Sequence, residues 1–319
     1  MAMRNILVVG GSGFVGSAIV RRLAATGARV VVPTRRRERA KHLITLPTAD
    51  VVEANVHEPG TLRELVAAAD AVISLVGILH GDRGTPYGSA FRRAHVDLPA
   101  SIVAACQATG VRRLLHMSSL GAAADGPSMY LRSKAAGEAA VRAAGNTLDW
   151  TIFRPSVIFG RDDRFLNLFA AMQRVAPFIP LGGAHARLQP VHVEDVAQAF
   201  VNSLETPATF GKAYDLAGPR VYTLGELVRF AGQAAGCPRP VFALPDALAR
   251  LQALCMEFAP VKLLSRDNLD SLKIDSVSAD GFAAELAVVP ASVAAVMTHH
   301  LARETPRERY MRLRDRSGR

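Results

Sequence analysis

Tyr130 and Lys134 stand four residues apart near the start of Tyr130–Ala143, a segment with helical spacing. On a helix that interval puts both side chains on one face. A phenol has an ordinary pKa near 10, and a neighbouring ammonium favours its ionised form. The pair is therefore expected to act as a general acid/base, with the Lys134 charge bringing the Tyr130 phenol toward neutral pH. With five Tyr and five Lys in 319 residues, such a pair arises by chance only about 0.08 times.

Glycine supplies the second feature. Residues 10–16 read Gly-Gly-Ser-Gly-Phe-Val-Gly. They follow a short apolar run, Ile6–Val9, and open a helical one, Phe14–Thr26. In that setting Gly10 permits a tight turn, Gly13 lets the backbone approach a pyrophosphate, and Gly16 lets the helix pack closely. The helix start then offers free N–H groups to phosphate charge, with Ser12, Phe14 and Val15 completing the cradle. The implied ligand is a dinucleotide, NAD(P). Strand two runs into Pro33-Thr34-Arg35-Arg36-Arg37, and no acid follows until Glu38. An acid there would grip a ribose 2′-hydroxyl, whereas Arg pairs bidentately with a 2′-phosphate. NADP(H) is thus favoured over NAD(H), with Arg35 the leading contact and Arg36 second. A solvated basic face is the plainer reading of the same arginines.

Positioning these groups takes an alternating chain. Apolar strands are expected at Ile6–Val9, Arg29–Val32, Val51–Glu53, Ala71–Val76, Arg113–Met117 and Trp150–Arg154, with helices at Phe14–Thr26, Thr61–Ala69, Phe91–Thr109 and Tyr130–Ala143 between them. That order predicts an α/β fold, a Rossmann doubly wound parallel sheet covered on both faces. Residues 1–154 form the expected NAD(P)-binding domain. Residues 155–319 form a smaller mixed α/β substrate or partner region, whose segment around 191–218 returns to the sheet. There, helices are expected at Leu166–Arg174, Val193–Leu204, Thr223–Ala235 and Pro245–Phe258, a strand at Ala213–Leu216, and a loop at Ala176–Ala184. The stripe Leu248, Leu251, Leu254 and Phe258 is read as core.

The glycine spacing and Tyr-x-x-x-Lys resemble the extended and atypical short-chain dehydrogenases/reductases of the NAD-dependent epimerase/dehydratase superfamily, over nearly the whole chain. The resemblance makes Ser119, with Ser118 as the alternative, the hydroxyl that steadies a substrate carbonyl or alcohol. It places Asn55 and Val56 near the adenine and lets Lys134 bind the nicotinamide ribose. It also lines the nicotinamide pocket with Arg154-Pro155-Ser156-Val157-Ile158-Phe159-Gly160. In His192-Val193-Glu194-Asp195 it makes Asp195 a helix N-cap and His192 a packed structural ring. The short Ser119–Tyr130 interval, without Val-Tyr-Gly after the serine, departs from sugar-nucleotide epimerases and dehydratases.

One branch fits better. Leu75-Val76-Gly77-Ile78-Leu79, Asp163-Arg164-Phe165, Leu188-Gln189-Pro190-Val191 and Ser265-Arg266-Asp267-Asn268-Leu269 resemble the NDUFA9-type NAD(P)-binding subunit of respiratory complex I and its bacterial relatives. Val76 and Gly77 join the cofactor set. The resemblance implies an NADP(H)-dependent oxidoreductase on a small apolar carbonyl or alcohol, with two alternatives: a non-catalytic NADPH-holding accessory or assembly subunit linked to complex I or quinone metabolism, and a nucleotide-sugar epimerase/dehydratase.

Composition narrows the rest. Half the residues are apolar and 21% charged, enough for a full core. Cys106, Cys237 and Cys255 make no disulfide framework or metal motif, so no metal is expected. No apolar run reaches a membrane span, and with the first strand at Ile6 the expected location is cytoplasmic, with peripheral contact at the inner face of a membrane. The net charge of +10 favours anionic partners. Residues 303–319 carry seven Arg against three acids and provide a possible contact with a membrane complex or an anionic membrane surface. Without aromatic–basic interleaving, nucleic acid is not expected.

Overall fold

The computed structural model describes residues 3–257, 264–302, 310 and 314. The N-terminal half runs β1 (Asn5–Val9), α1 (Phe14–Ala25), β2 (Arg29–Thr34), β3 (Ala49–Glu53), α2 (Pro59–Ala67), β4 (Ala71–Ser74), α3 (Ser89–Arg92), α4 (Leu98–Thr109), β5 (Arg113–Met117), α5 (Met129–Arg142) and β6 (Asp149–Pro155). There follow β7 (Ile158–Phe159), α6 (Leu166–Val175), β8 (Ile179–Leu181), β9 (Arg187–Leu188), β10 (Val191–His192), α7 (Val193–Ser203) and β11 (Lys212–Leu216). The chain continues with β12 (Tyr222–Thr223), α8 (Leu224–Ala234), β13 (Val241–Ala243), α9 (Asp246–Glu257), α10 (Arg266–Ser271) and α11 (Val293–Leu301).

Seven strands form one parallel sheet in the order β11-β6-β5-β4-β1-β2-β3. Successive side chains of each strand feed opposite faces. Ile6, Val8, Ile73, Leu115 and Phe153 enter a core shared with α1 and α7, while Leu7, Val9, Val72, Leu114 and Ile152 enter one shared with α2, α4 and α5. Both faces are therefore covered, and the sheet is a Rossmann-like α/β sheet. β11 joins it beside β6, pairing Lys212 with Thr151 through Leu216 with Pro155. A third core lies among α6, α8 and α11.

Several local expectations are corrected. β4 ends at Ser74 rather than Val76. The helix expected over Phe91–Thr109 is broken by a π-helical turn at Arg93–Asp97, between α3 and α4. The loop expected over Ala176–Ala184 contains β8, which pairs with β13. Asp195 is not an N-cap. His192 holds that position, and Asp195 sits in the first turn of α7, where it accepts the Ala291 N–H at 2.7 Å. The α9 stripe is not core: Leu248 and Leu251 are 52% and 55% exposed. The helix buries Ala249 and Ala253 instead. Phe258, residues 303–309 and most of the remaining basic tail lie outside the described residues.

Candidate active site

The strand order reverses between β1 and β4, and a cleft opens beyond the carboxyl ends of the strands, where this topology places its ligands. Its volume is about 1570 Å³. The turn after β1 forms one wall. Gly10 adopts φ +92°, a backbone that side chains resist. A Cβ on Gly16 would collide with the Gly10 carbonyl oxygen, so the helix starts tight against the turn. Gly13 is the N-cap of α1, with no side-chain cap and no acid in the first turn. The helix start thus keeps its N–H groups and partial positive charge for a ligand. Gly10, Ser12, Gly13, Phe14, Val15, Gly16, Gly77, Lys134, Pro155 and Val157 all line the cleft.

Five other residues expected at the cofactor are not on that wall. Val76 packs into the α2–α4 core, as does Val56. The Asn55 amide donates to Glu58 at 2.9 Å and its oxygen accepts the His57 N–H at 3.2 Å, forming the turn into α2. Arg35 and Arg36 are exposed just beyond β2. The His57 imidazole is held below its usual range by burial, then by the Arg93 and Arg35 charges, against the Asp97 carboxylate.

The opposite wall carries the acid/base candidates. Ser128 caps α5 by accepting the Leu131 N–H at 3.1 Å. Tyr130 and Lys134 follow on the face turned to the cleft. The Lys134 ammonium donates to the Met117 carbonyl at the end of β5 at 2.6 Å. Burial drops its pKa to about 8, against the pull of Glu138. Glu138 in turn accepts a two-pronged hydrogen bond from Arg154, at 2.7 and 2.6 Å. Arg154 therefore braces α5 instead of lining the cleft. Burial raises the Tyr130 phenol above its ordinary pKa, against a smaller lowering pull from Ser119. That reverses the expected direction, because desolvation dominates at this phenol. Ser119 and Ser118 both line the cleft, and the Ser118 hydroxyl is buried and unpartnered.

Two residues that spacing did not single out fix this arrangement. His95, in the π-helical turn, meets the Tyr130 ring edge-on at 5.6 Å and 83°. Its Nε2 accepts the Ile78 N–H at 2.9 Å. This assigns the ring proton to Nδ1, which donates to Ser133 Oγ at 2.8 Å. Ser133 passes the bond on to the Tyr130 carbonyl at 2.7 Å. Burial and then the Lys134 charge hold His95 down to about 3, so it stays neutral. Asp267, on α10, accepts the Met129 and Tyr130 N–H groups at 2.6 and 3.1 Å. It caps α5 from the C-terminal region. The sequence signal was a capping pattern, Ser265-x-x-Asn268, one turn around the same acid. His42 also reaches the glycine wall, 2.7 Å from Ser17 Oγ. His192 packs on Phe159 at a ring distance of 5.4 Å.

Among the described residues, no His, Cys, Asp or Glu cluster could hold a metal ion, and no helix is long and apolar enough to cross a membrane.

Residues 6–225 match the NAD dependent epimerase/dehydratase family. The chain is 32% identical over 225 residues to "NADH dehydrogenase [ubiquinone] 1 alpha subcomplex subunit 9, mitochondrial" of Dictyostelium discoideum, a match covering 69% of this chain and 61% of that relative's length. It is 33% identical to a "Ceramide reductase" of Caulobacter vibrioides, covering 76% and 74% of the two chains. In fold it is similar to a dTDP-glucose 4,6-dehydratase from Streptomyces venezuelae, with a TM-score of 0.73, 22% identity, and coverage of 93% and 95%. The cradle, the sheet that carries it and these matches agree: the chain belongs to the NAD-dependent epimerase/dehydratase family and is of the NDUFA9 type.

Proposed function

We propose that this protein is an NADP(H)-dependent oxidoreductase acting on an apolar carbonyl or alcohol. The observation that carries the reading is the convergence of Tyr130, Ser119 and Lys134 on a cleft whose facing wall is the uncapped start of α1. The residues present fit a dinucleotide: free helix N–H groups suit its pyrophosphate, and Lys134, which lines the cleft, would bind the nicotinamide ribose. A reduced nicotinamide supplies the hydride when bound. Tyr130, with its pKa raised, stays protonated near neutral pH and serves as the acid that protonates the carbonyl oxygen. Ser119 hydrogen-bonds the same oxygen and orients it. Tyr130→Phe is expected to lower kcat about 100- to 10,000-fold while NADPH binding, read by fluorescence titration, is unchanged. Equal turnover by the variant would remove Tyr130 from the chemistry.

The exposed Arg35 and Arg36 just beyond β2, together with the absence of an acid between Val32 and Glu38, support NADP(H) over NAD(H). Arg35→Ala is expected to weaken NADPH binding roughly tenfold or more and NADH binding hardly at all. Unchanged affinities for both would refute the preference.

A second reading follows from the complex I relative: a subunit that holds NADPH and contributes to assembly at a membrane. The basic residues 303–319 would then meet an acidic partner or lipid surface. In that case Tyr130→Phe would be silent, and the nucleotide would survive prolonged dialysis.

A further inference from the structure

The cleft is larger than one ligand needs. Sites for a single small molecule run to roughly 300–1,000 Å³, and this one reaches about 1570 Å³. The half nearest α1 is the dinucleotide seat. The half beyond Tyr130 is walled by α6, β8, α8, α10 and α11, which present Leu168, Met172, Leu181, Leu224, Leu272 and Val296.

Anion-binding positions in this far half are already used. The start of α6 is taken by the buried Asp163 carboxylate, which accepts the Phe165 and Asn167 N–H groups at 2.8 and 3.2 Å. Thr223 with Glu226 caps α8, Ser265 with Asn268 caps α10, and Ser292 caps α11. Arg161 and Arg164 line the cleft but are exposed, where water screens them. A sugar nucleotide needs a seat for its second diphosphate. None of these four helices offers one; besides the apolar side chains the lining includes Gln252, Ser271 and His300.

We infer that the far half is an acyl-chain chamber, and that the ligand turned over beside Tyr130 is a carbonyl or alcohol on a long hydrocarbon chain. This rests on the oxidoreductase reading for the reacting end of the ligand. The chamber itself is a binding property and is tested without turnover.

The test is displacement of a fluorescent fatty acid from the NADPH-loaded full chain by acetoacetate, 3-oxooctanoate and 3-oxododecanoate, with dTDP-glucose as competitor. Each added methylene is expected to tighten binding by roughly three- to fourfold until the chamber is full, and the sugar nucleotide is expected not to compete. Met172→Trp should abolish the gain at the longest chain while leaving NADPH affinity unchanged. Val296→Trp, on the α11 wall, gives an independent obstruction should the first variant misfold. Affinity independent of chain length, stronger displacement by dTDP-glucose, or a chain-length effect untouched by both tryptophans would overturn the chamber. Chain-length-dependent binding without hydride transfer would leave the chamber standing and refute the oxidoreductase reading alone.

Discussion

Lys134 is held in the site at the expense of stability. Its ordinary pKa of 10.5 falls to about 8, first through burial. Below about pH 8 both folded and unfolded chains carry the proton, and the folded chain bears the full cost of the buried charge. Between about pH 8 and 10.5 the unfolded chain holds more protons, so stability attributable to this group rises with pH. Lys134→Met should therefore stabilise the fold by roughly 1–3 kcal/mol near neutral pH, with the gain shrinking as pH rises through that window, and should weaken nucleotide binding. Urea titrations of both proteins at several pH values measure this; a pH-independent difference would contradict it. At this scale Tyr130, Lys134 and the three glycines were legible because their spacings are local. The partners that tune them were not: Asp267 reaches Tyr130 across 137 residues and His95 reaches Ser133 across 38. The direction of the Tyr130 shift also eluded spacing, since spacing reveals the ammonium but not the depth of burial.

At the scale of elements, α5 is the part whose placement matters most. Its start is fixed twice, by Ser128 within the chain and by Asp267 from α10. Asp267→Ala should cost about 1–2 kcal/mol and lower kcat with little change in NADPH affinity, because the backbone of Tyr130 is released while the glycine wall is untouched. Asp267→Asn should recover part of both losses. A variant with wild-type denaturation and kinetics would show that α10 does not position α5. Most strands and helices of residues 5–155 followed from apolar runs and periodicity because they bury against a parallel sheet, although β3, at its edge, buries none of its residues. β8 escaped notice because Ile179–Leu181 is short and pairs with β13 about sixty residues later. The π-helical turn escaped because Arg93–Asp97 keeps helical composition; the break is visible only in where His95 points.

Over the whole molecule, the sheet order carries Gly10, Gly77, Ser119 and Pro155 to one end from four different strands. That convergence followed from the alternating pattern, whereas the arrangement of the C-terminal region did not. There α9 turns Gln252 and Met256 to the cleft and leaves Leu248 and Leu251 exposed. The stripe was read as core because helical periodicity marks an apolar face without saying what covers it. Leu251→Ser should accordingly change stability by less than about 0.5 kcal/mol, as urea denaturation would record; a cost of several kcal/mol would return the stripe to the core. The central claim is that Tyr130 protonates a carbonyl oxygen as a bound reduced nicotinamide delivers hydride. The most direct measurement is deuterium transfer from C4-deuterated NADPH to a panel of carbonyl compounds of increasing apolarity, read by mass spectrometry for wild type and Tyr130→Phe. The account predicts deuterated alcohol from the wild-type protein, greatest with apolar acceptors, and almost none from a variant that still binds NADPH. No transfer to any acceptor from a wild-type protein that retains its NADPH through dialysis, or equal transfer by both proteins, would contradict it.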